Sequence, residues 1–229
     1  TSGFGTTSPK FLTEISSPSV VTLDVGEGMT SKFDNTPVIL NSTFFVISID
    51  TGEVLFSENI SSNYQLPKLF HTGDIVANPL YKNGKVYIVS QAGFTAAFDL
   101  ETSETLWNVP IGGFETPVVS GKTIFIVGNM GQLAAIDTIS GKLRWEKNFP
   151  SYLNKNSFFT EEEIAIYKGP TLVDSKILIS NQKGKIIIID ANNGNEIDTL
   201  NFDELAIPPI PVNGSLLFLT TKGMLLAYK

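Results

Sequence analysis

Cysteine is missing from the 229 residues, and histidine occurs once, at His71. The first absence excludes a disulfide, a thiolate metal site and a cysteine nucleophile. The second excludes a paired-histidine metal site and leaves one candidate general base. His71 lies in LFHTGD, ahead of a strand-like run, where a lone loop histidine reads as a surface or capping group rather than a catalyst. No GxSxG elbow and no P-loop is present. Long apolar runs are lacking as well: a membrane-spanning helix needs about 20 consecutive apolar residues, and every run here is much shorter. Positive charge is scarce. Sixteen Lys and Arg against 23 Asp and Glu leave a net charge of −7, with no basic cluster along the chain, which argues against nucleic acid or an anionic membrane surface as partner. With 17% charged and 42% hydrophobic residues, the composition fits an all-β globule.

What the chain does contain is a repeat. A proline is followed by a glycine fourteen residues later and an aspartate six residues beyond: Pro79, Gly93, Asp99; Pro117, Gly131, Asp137; Pro170, Gly184, Asp190; and finally Pro209 and Gly223. A period of roughly 40 residues made of short apolar runs and turn signals predicts a β-propeller built blade by blade. Each copy divides into four strands. The first follows the proline, which has no amide to donate and suits a strand start. The second, Val86 to Val89 or Ile124 to Val127, is apolar at nearly every position rather than alternating, and so should be covered on both faces. The glycines occupy the turn into the third strand, in contexts such as NMGQ and QKGK that favour a positive φ. Asp99, Asp137 and Asp190 end the third strand, where a carboxylate accepts turn N–H groups. Trp107 and Trp145 each lie eight residues after their aspartate, which makes them packing anchors between blades.

Glycine, small apolar residues, aspartate, Ser or Thr, Gly and then Trp form a pattern that resembles the quinoprotein-type, PQQ-like propeller repeat. Within that superfamily the chain resembles the BamB family, the propeller lipoproteins of the outer-membrane β-barrel assembly machinery. The likeness runs from about residue 20 to the end, through LDVGEG, GDIVANP, IGGFETPVVSG, KGPTLVDSKILIS and the terminal IPPIPVNGSLLFLTTKGMLLAYK. PQQ dehydrogenases share the repeat but are much longer and carry an adjacent-cysteine pair, a stacking tryptophan and calcium ligands. Here cysteine is absent and both tryptophans have repeat positions, so neither a cofactor nor a metal is expected.

The first copy departs from the pattern. STFFVISIDTGEVLF from Ser42 aligns with GFTAAFDLETSETLW from Gly93, so the second strand should be absent and a deletion or omission is suspected at 41/42. The family is usually eight-bladed; about five blades are expected here. Since the last copy supplies three strands, its fourth should be Val20 to Val25, which would protect the open edge. The domain reading is a Ser, Thr, Gly and Pro-rich tether over 1–19 and one propeller over 20–229. Because the chain starts at Thr1 with no signal peptide, it reads as a mature or trimmed form. The resemblance implies a lipidated cysteine upstream and a location on the periplasmic face of the outer membrane.

The function implied by the resemblance is binding, not catalysis. The expected partner is a POTRA domain of the barrel-forming subunit, with unfolded outer-membrane proteins as a further ligand, and the chain would be a monomer within that complex. Asp74, with Ile75 and Val76, falls on the family's contact loop, although Val76 stands where the family can carry a second acid. A further contact loop of the family would fall in the missing stretch. Two longer connections, Ser61 to Ala77 and Pro150 to Lys168, are long enough to cover an edge or bind something. A quinoprotein-like oxidoreductase fragment and a general propeller interaction module of the bacterial envelope remain the alternatives.

Overall fold

The computed structural model describes residues 19–20, 35–40, 43–48, 51–59, 77–91, 93–151, 165–202, 205 and 207–228. It divides into two compact units, Thr1–Tyr64 and Gln65–Lys229. Every named element is a β-strand, and all sheets are antiparallel.

In the first unit, β1 (Ser19–Val20), β2 (Asn35–Leu40), β3 (Thr43–Ser48) and β4 (Val54–Asn59) form a four-stranded sheet in sequence order. Two expectations are corrected here. The first copy does have a second strand, since β2 pairs along its whole length with β3 from Asn35↔Ser48 to Leu40↔Thr43. The N-terminal strand joins this sheet rather than the terminal one, through Ser19↔Ile39 and Val20↔Val38. Pairing with a strand only fourteen residues onward closes a shorter loop than reaching the opposite end of the chain, and loop-closure entropy favours it. Residues 21–25 lie outside the described residues, as does the 1–18 segment.

The second unit holds the regular copies. The strands β5 (Leu80–Lys82), β6 (Lys85–Ser90), β7 (Phe94–Asp99) and β8 (Thr105–Val109) make one sheet; β9 (Val118–Ser120), β10 (Thr123–Val127), β11 (Gln132–Asp137) and β12 (Leu143–Asn148) make the next. They are followed by β13 (Tyr167–Val173), β14 (Lys176–Asn181), β15 (Lys185–Asp190) and β16 (Glu196–Asn201). The last sheet has three strands, β17 (Ile210–Val212), β18 (Ser215–Leu219) and β19 (Leu225–Tyr228). Its outer strand is exposed along its length, with Leu225 at 67%.

Packing between these sheets explains the uninterrupted apolar runs. In β10, Ile124 and Ile126 enter a core shared with Tyr87, Val89 and Ala97 of the preceding sheet. The alternate residues Phe125 and Val127 enter another, shared with Ile177, Ile179 and Ile187 of the following sheet. A strand whose two faces serve two cores has no position left for a polar residue. A third core joins Leu178 and Ile186 to Phe218 of the terminal sheet.

The repeat residues act at the junctions. The turn glycines Gly93, Gly131, Gly184 and Gly223 all have φ between +78° and +104°, a region closed to most side chains. In each turn the glycine N–H donates to the carbonyl three residues back. Asp99 and Asp190 accept turn N–H groups, from Glu101 and Thr102 and from Asn192 respectively. Asp137 does most: its Oδ1 accepts from the N–H of Ile139 and Ser140 and from Ser140 Oγ, and its Oδ2 takes Arg144 at 2.6 Å. These donors hold its carboxyl well below the usual range because they favour the charged form.

Each tryptophan reaches into the next sheet's aspartate turn. Trp107 Nε1 donates to the Thr138 carbonyl at 3.0 Å, and Trp145 Nε1 donates to the Ala191 carbonyl at 3.1 Å. The glycine of that same turn lies against the indole: a Cβ at Gly141 or Gly194 would come within 2.7 Å of a Trp107 or Trp145 carbon. A bulge directs this contact. In all four four-stranded sheets the register shifts next to the residue paired with the tryptophan position, and a bulge re-aims the side chain beside it. Asp198 fills that position in β16, opposite Ile188.

Trp107 is 7% exposed and Trp145 is half-buried. Trp107→Ala should therefore destabilise by about 3–5 kcal/mol and Trp145→Ala by less; denaturant midpoints check the order. Equal midpoints for wild type and Trp107→Ala would show that the indole does not join the sheets.

Asp137 sets a pH prediction of definite sign. Its folded pKa is depressed, so its stabilisation is present above the ordinary carboxylate value, about 4, and fades as pH falls toward the lower folded value. Asp137→Asn should melt lower than wild type at neutral pH and show a shallower fall in Tm on acidification. Parallel acid limbs for the two proteins would contradict this.

Candidate interaction face

Two ends of the sheets in the second unit carry different chemistry. At one end lie the aspartate turns, whose carboxylates are occupied by their own loops. At the other end the glycine turns meet the connections that run from each fourth strand to the next first strand. Backbone bonds knit them across sheets: Gly113 N–H donates to Ser90 O, and Asn129 N–H donates to Gly112 O at 2.8 Å. The Asn129 side-chain amide reaches Gln91 O at 3.0 Å. On the far side, Ile166 N–H donates to Gln182 Oε1 at 2.8 Å, and Ala165 N–H donates to Pro150 O.

A cleft of about 280 Å³ opens at this end between the sheets β9–β12 and β13–β16. Phe114, Glu115, Val127, Asn129, Ala165 and Tyr167 line it. Of its lining residues Phe114 is 40% exposed and Ile166 is 54% exposed, and Met130, next in sequence to the lining residues Asn129 and Gly131, is 40% exposed. Glu115 is the acid in this apolar setting. Burial pushes its carboxyl above the ordinary value, while the Gly169 N–H and the nearby Lys168 oppose the rise. The cleft thus sets one acid, with its proton affinity raised, among mainly apolar groups, with Ser151 as a further polar group in the lining. Among the described residues no group of three His, Cys, Asp or Glu is placed to hold a metal, and no helix is long and apolar enough to cross a membrane.

Asp74, Ile75 and Val76, the expected contact residues, and His71 lie outside the described residues, as does most of the connection from Pro150 to Lys168. The described chain resumes at Ala77, which is buried at 3% and belongs to the core under Trp107. Ala77, Glu115 and Lys168 each stand two residues before the proline of their copy. The connection bearing Asp74 thus holds the same place in the repeat as those lining the cleft. Phe114, Met130 and Ile166 are interaction candidates that motif reading passed over. Met130 alone carried a signal, an apolar residue directly before a repeat glycine, where turn residues are expected to be polar; Phe114 and Ile166 lie in connections that the repeat spacing does not mark.

A model of the family "Outer membrane protein assembly factor BamB" matches residues 12–147 and 126–229. A relative bearing that name in Vibrio cholerae is 25% identical over 234 residues, covering 84% of this chain and 60% of the relative. The chain spans 37% to 60% of the length of the curated relatives it resembles. In structure it is similar to BamB from Moraxella catarrhalis, with a TM-score of 0.58 at 16% identity over 86% of this chain and 70% of the other. A quinohemoprotein alcohol dehydrogenase from Comamonas testosteroni matches at 0.56 and 15%, over 75% of this chain and 34% of the enzyme, a likeness of fold. The propeller repeat and the family match along nearly the whole chain agree: this chain belongs to the family of the outer membrane protein assembly factor BamB.

Proposed function

We propose that the chain is a non-enzymatic scaffold of outer-membrane protein assembly, held on the periplasmic face of the outer membrane by a lipid anchor. It binds a POTRA domain of the barrel-forming subunit and stays monomeric within that complex, with unfolded outer-membrane proteins as a second ligand. The family match over residues 12–229 carries this reading. It is supported by the cleft at the glycine-turn end, whose lining includes the exposed apolar side chains Phe114 and Ile166. Asp74, Ile75 and Val76 supply the contact, Asp74 as the charged member and its neighbours as apolar flanks. The oxidoreductase alternative has only the shared fold behind it, and an absorption spectrum of the purified protein tests it through the quinone band.

A titration with the barrel subunit's periplasmic region examines the main reading. Asp74→Ala should weaken binding by about 2–5 kcal/mol if the carboxylate is buried in the contact, and by much less if it sits on the rim. The melting temperature should not change. Equal affinity of wild type and Asp74→Ala would remove Asp74 from the interface, and absence of binding by wild type would overturn the scaffold assignment for this chain.

A further inference from the structure

The terminal sheet stops at its third strand, and its outer edge repeats half of a motif that is complete elsewhere. In the two copies with a tryptophan, directly paired residues form one row across the four strands: Leu80, Tyr87, Ala97 and Trp107 in one sheet, Val118, Phe125, Ala135 and Trp145 in the next. The alanine of the third strand leaves the space over which each indole reaches the aromatic ring two strands away, at 5.9 Å between centroids in both sheets. The terminal sheet has the same row as Ile210, Leu217 and Ala227. Among the described residues no strand pairs with the other side of Ala227. Ala227 is exposed, and Ile210 is 45% exposed. In β15 this position is Ile188, and the residue opposite it is Asp198, not a ring.

The backbone of β19 offers the matching half of a ladder. Thr220 N–H donates to Met224 O, and bonds in an antiparallel ladder alternate along a strand. Leu226 therefore turns its N–H and C=O to β18, while Leu225 and Ala227 turn theirs to the open edge. The strand reads LLAY and carries no charge. The outer strands β12 and β16 do carry charges, Arg144, Glu146 and Lys147 in one and Glu196 and Asp198 in the other, and charge on an edge discourages further pairing. An uncharged edge with outward backbone groups is a template for strand addition. The row fixes what the added strand must carry, a large ring opposite Ala227. A second copy of β19 does not supply it, since pairing LLAY with itself along its length sets Ala227 against Leu226. A strand of an outer-membrane barrel does, because such strands alternate apolar and polar residues and carry aromatic residues near both ends.

We propose that the open edge of β19 takes up an unfolded outer-membrane protein by strand addition, an extended segment pairing antiparallel with Leu225 to Tyr228 and setting an aromatic side chain over Ala227. The proposal rests on the reading of unfolded outer-membrane proteins as second ligand, gives that ligand a site, and is independent of the POTRA contact. The test uses the full chain with two fluorescein-labelled peptides of about ten residues, alternating valine and threonine between terminal lysines, one with a central tryptophan and the other with alanine there. Fluorescence anisotropy follows both, and a urea-unfolded outer-membrane barrel diluted onto the chain is the second probe. The tryptophan peptide should bind at least about tenfold more tightly than the alanine peptide. Ala227→Ile, a residue that β15 accepts at this position as Ile188, should melt like wild type and bind the two peptides equally. Ala227→Pro removes one outward N–H and no bond to β18, a change that an edge strand tolerates, and should weaken binding of both peptides and of the unfolded barrel at least about tenfold. Equal affinity of wild type for the two peptides, or an undiminished preference in Ala227→Ile, overturns the proposal. Uptake of the unfolded barrel that Ala227→Pro leaves unchanged overturns it while sparing the ligand reading, and no uptake by wild type overturns both. Self-association of wild type that Ala227→Pro abolishes assigns the edge to a second copy and likewise overturns it.

Discussion

The structure of the second unit depends on one constraint: its second and third strands must be apolar on both faces. In β10 and β11 successive residues serve different cores, Ile124 and Ile136 on one side, Phe125 and Ala135 on the other. Each sheet is consequently held by its neighbours rather than by a core of its own, and none could bury its faces alone. Polar atoms are driven to the strand ends, where backbone groups of the turns still need partners. The aspartates and glycines of the repeat answer that need. Their regular spacing follows from strand length more than from any chemistry.

Directional contacts add register to this non-directional burial. A flat apolar face could slide against the next, but the indole N–H of Trp107 or Trp145 accepts only one satisfactory position, at the carbonyl that follows the next sheet's aspartate. The glycine of that turn makes room for the ring, and a Cβ there would collide with it. Four features of a copy, the bulge, the tryptophan, the next aspartate turn and its glycine, thus form one joint that spans two copies. Asp198 stands in the tryptophan position of β16, so no indole makes this joint between that sheet and the terminal one. The joint is present where both halves are present.

The sequence made the strand plan legible because periodicity and turn chemistry are local. Pro117, Gly131 and Asp137 mark the starts and ends of β9 to β11 within a residue or two. The N-terminal pairing was not legible, since β1 contributes only Ser19 and Val20 and edge protection pointed to the three-stranded terminal sheet instead. The apolar lining at Phe114 and Ile166 was hidden for another reason. Phe114 and Ile166 lie in separate segments that meet only when two sheets pack. Lys147, Lys183 and Lys185 line a recess between β12 and the sheet β13–β16, and their gathering escaped linear reading in the same way, because charge density along a chain does not report charge density across a sheet junction.

These features divide the molecule's surface by chemistry. The aspartate turns consume their own carboxylates, so that end offers few free polar groups for recognition. The glycine turns cannot carry side chains at the glycine itself, and the neighbouring positions, held out by the tight i to i+3 bond, become the places where a side chain projects without affecting the core. Met130 is such a residue, directly before Gly131, and Lys183 is its counterpart before Gly184. One copy exposes an apolar group at this position and the next places a cation in the lining of a basic recess. Substitution at this single repeat position changes the chemistry of the surface while leaving the glycine turn intact. A repeat built in this way keeps folding and recognition on different residues of the same hairpin.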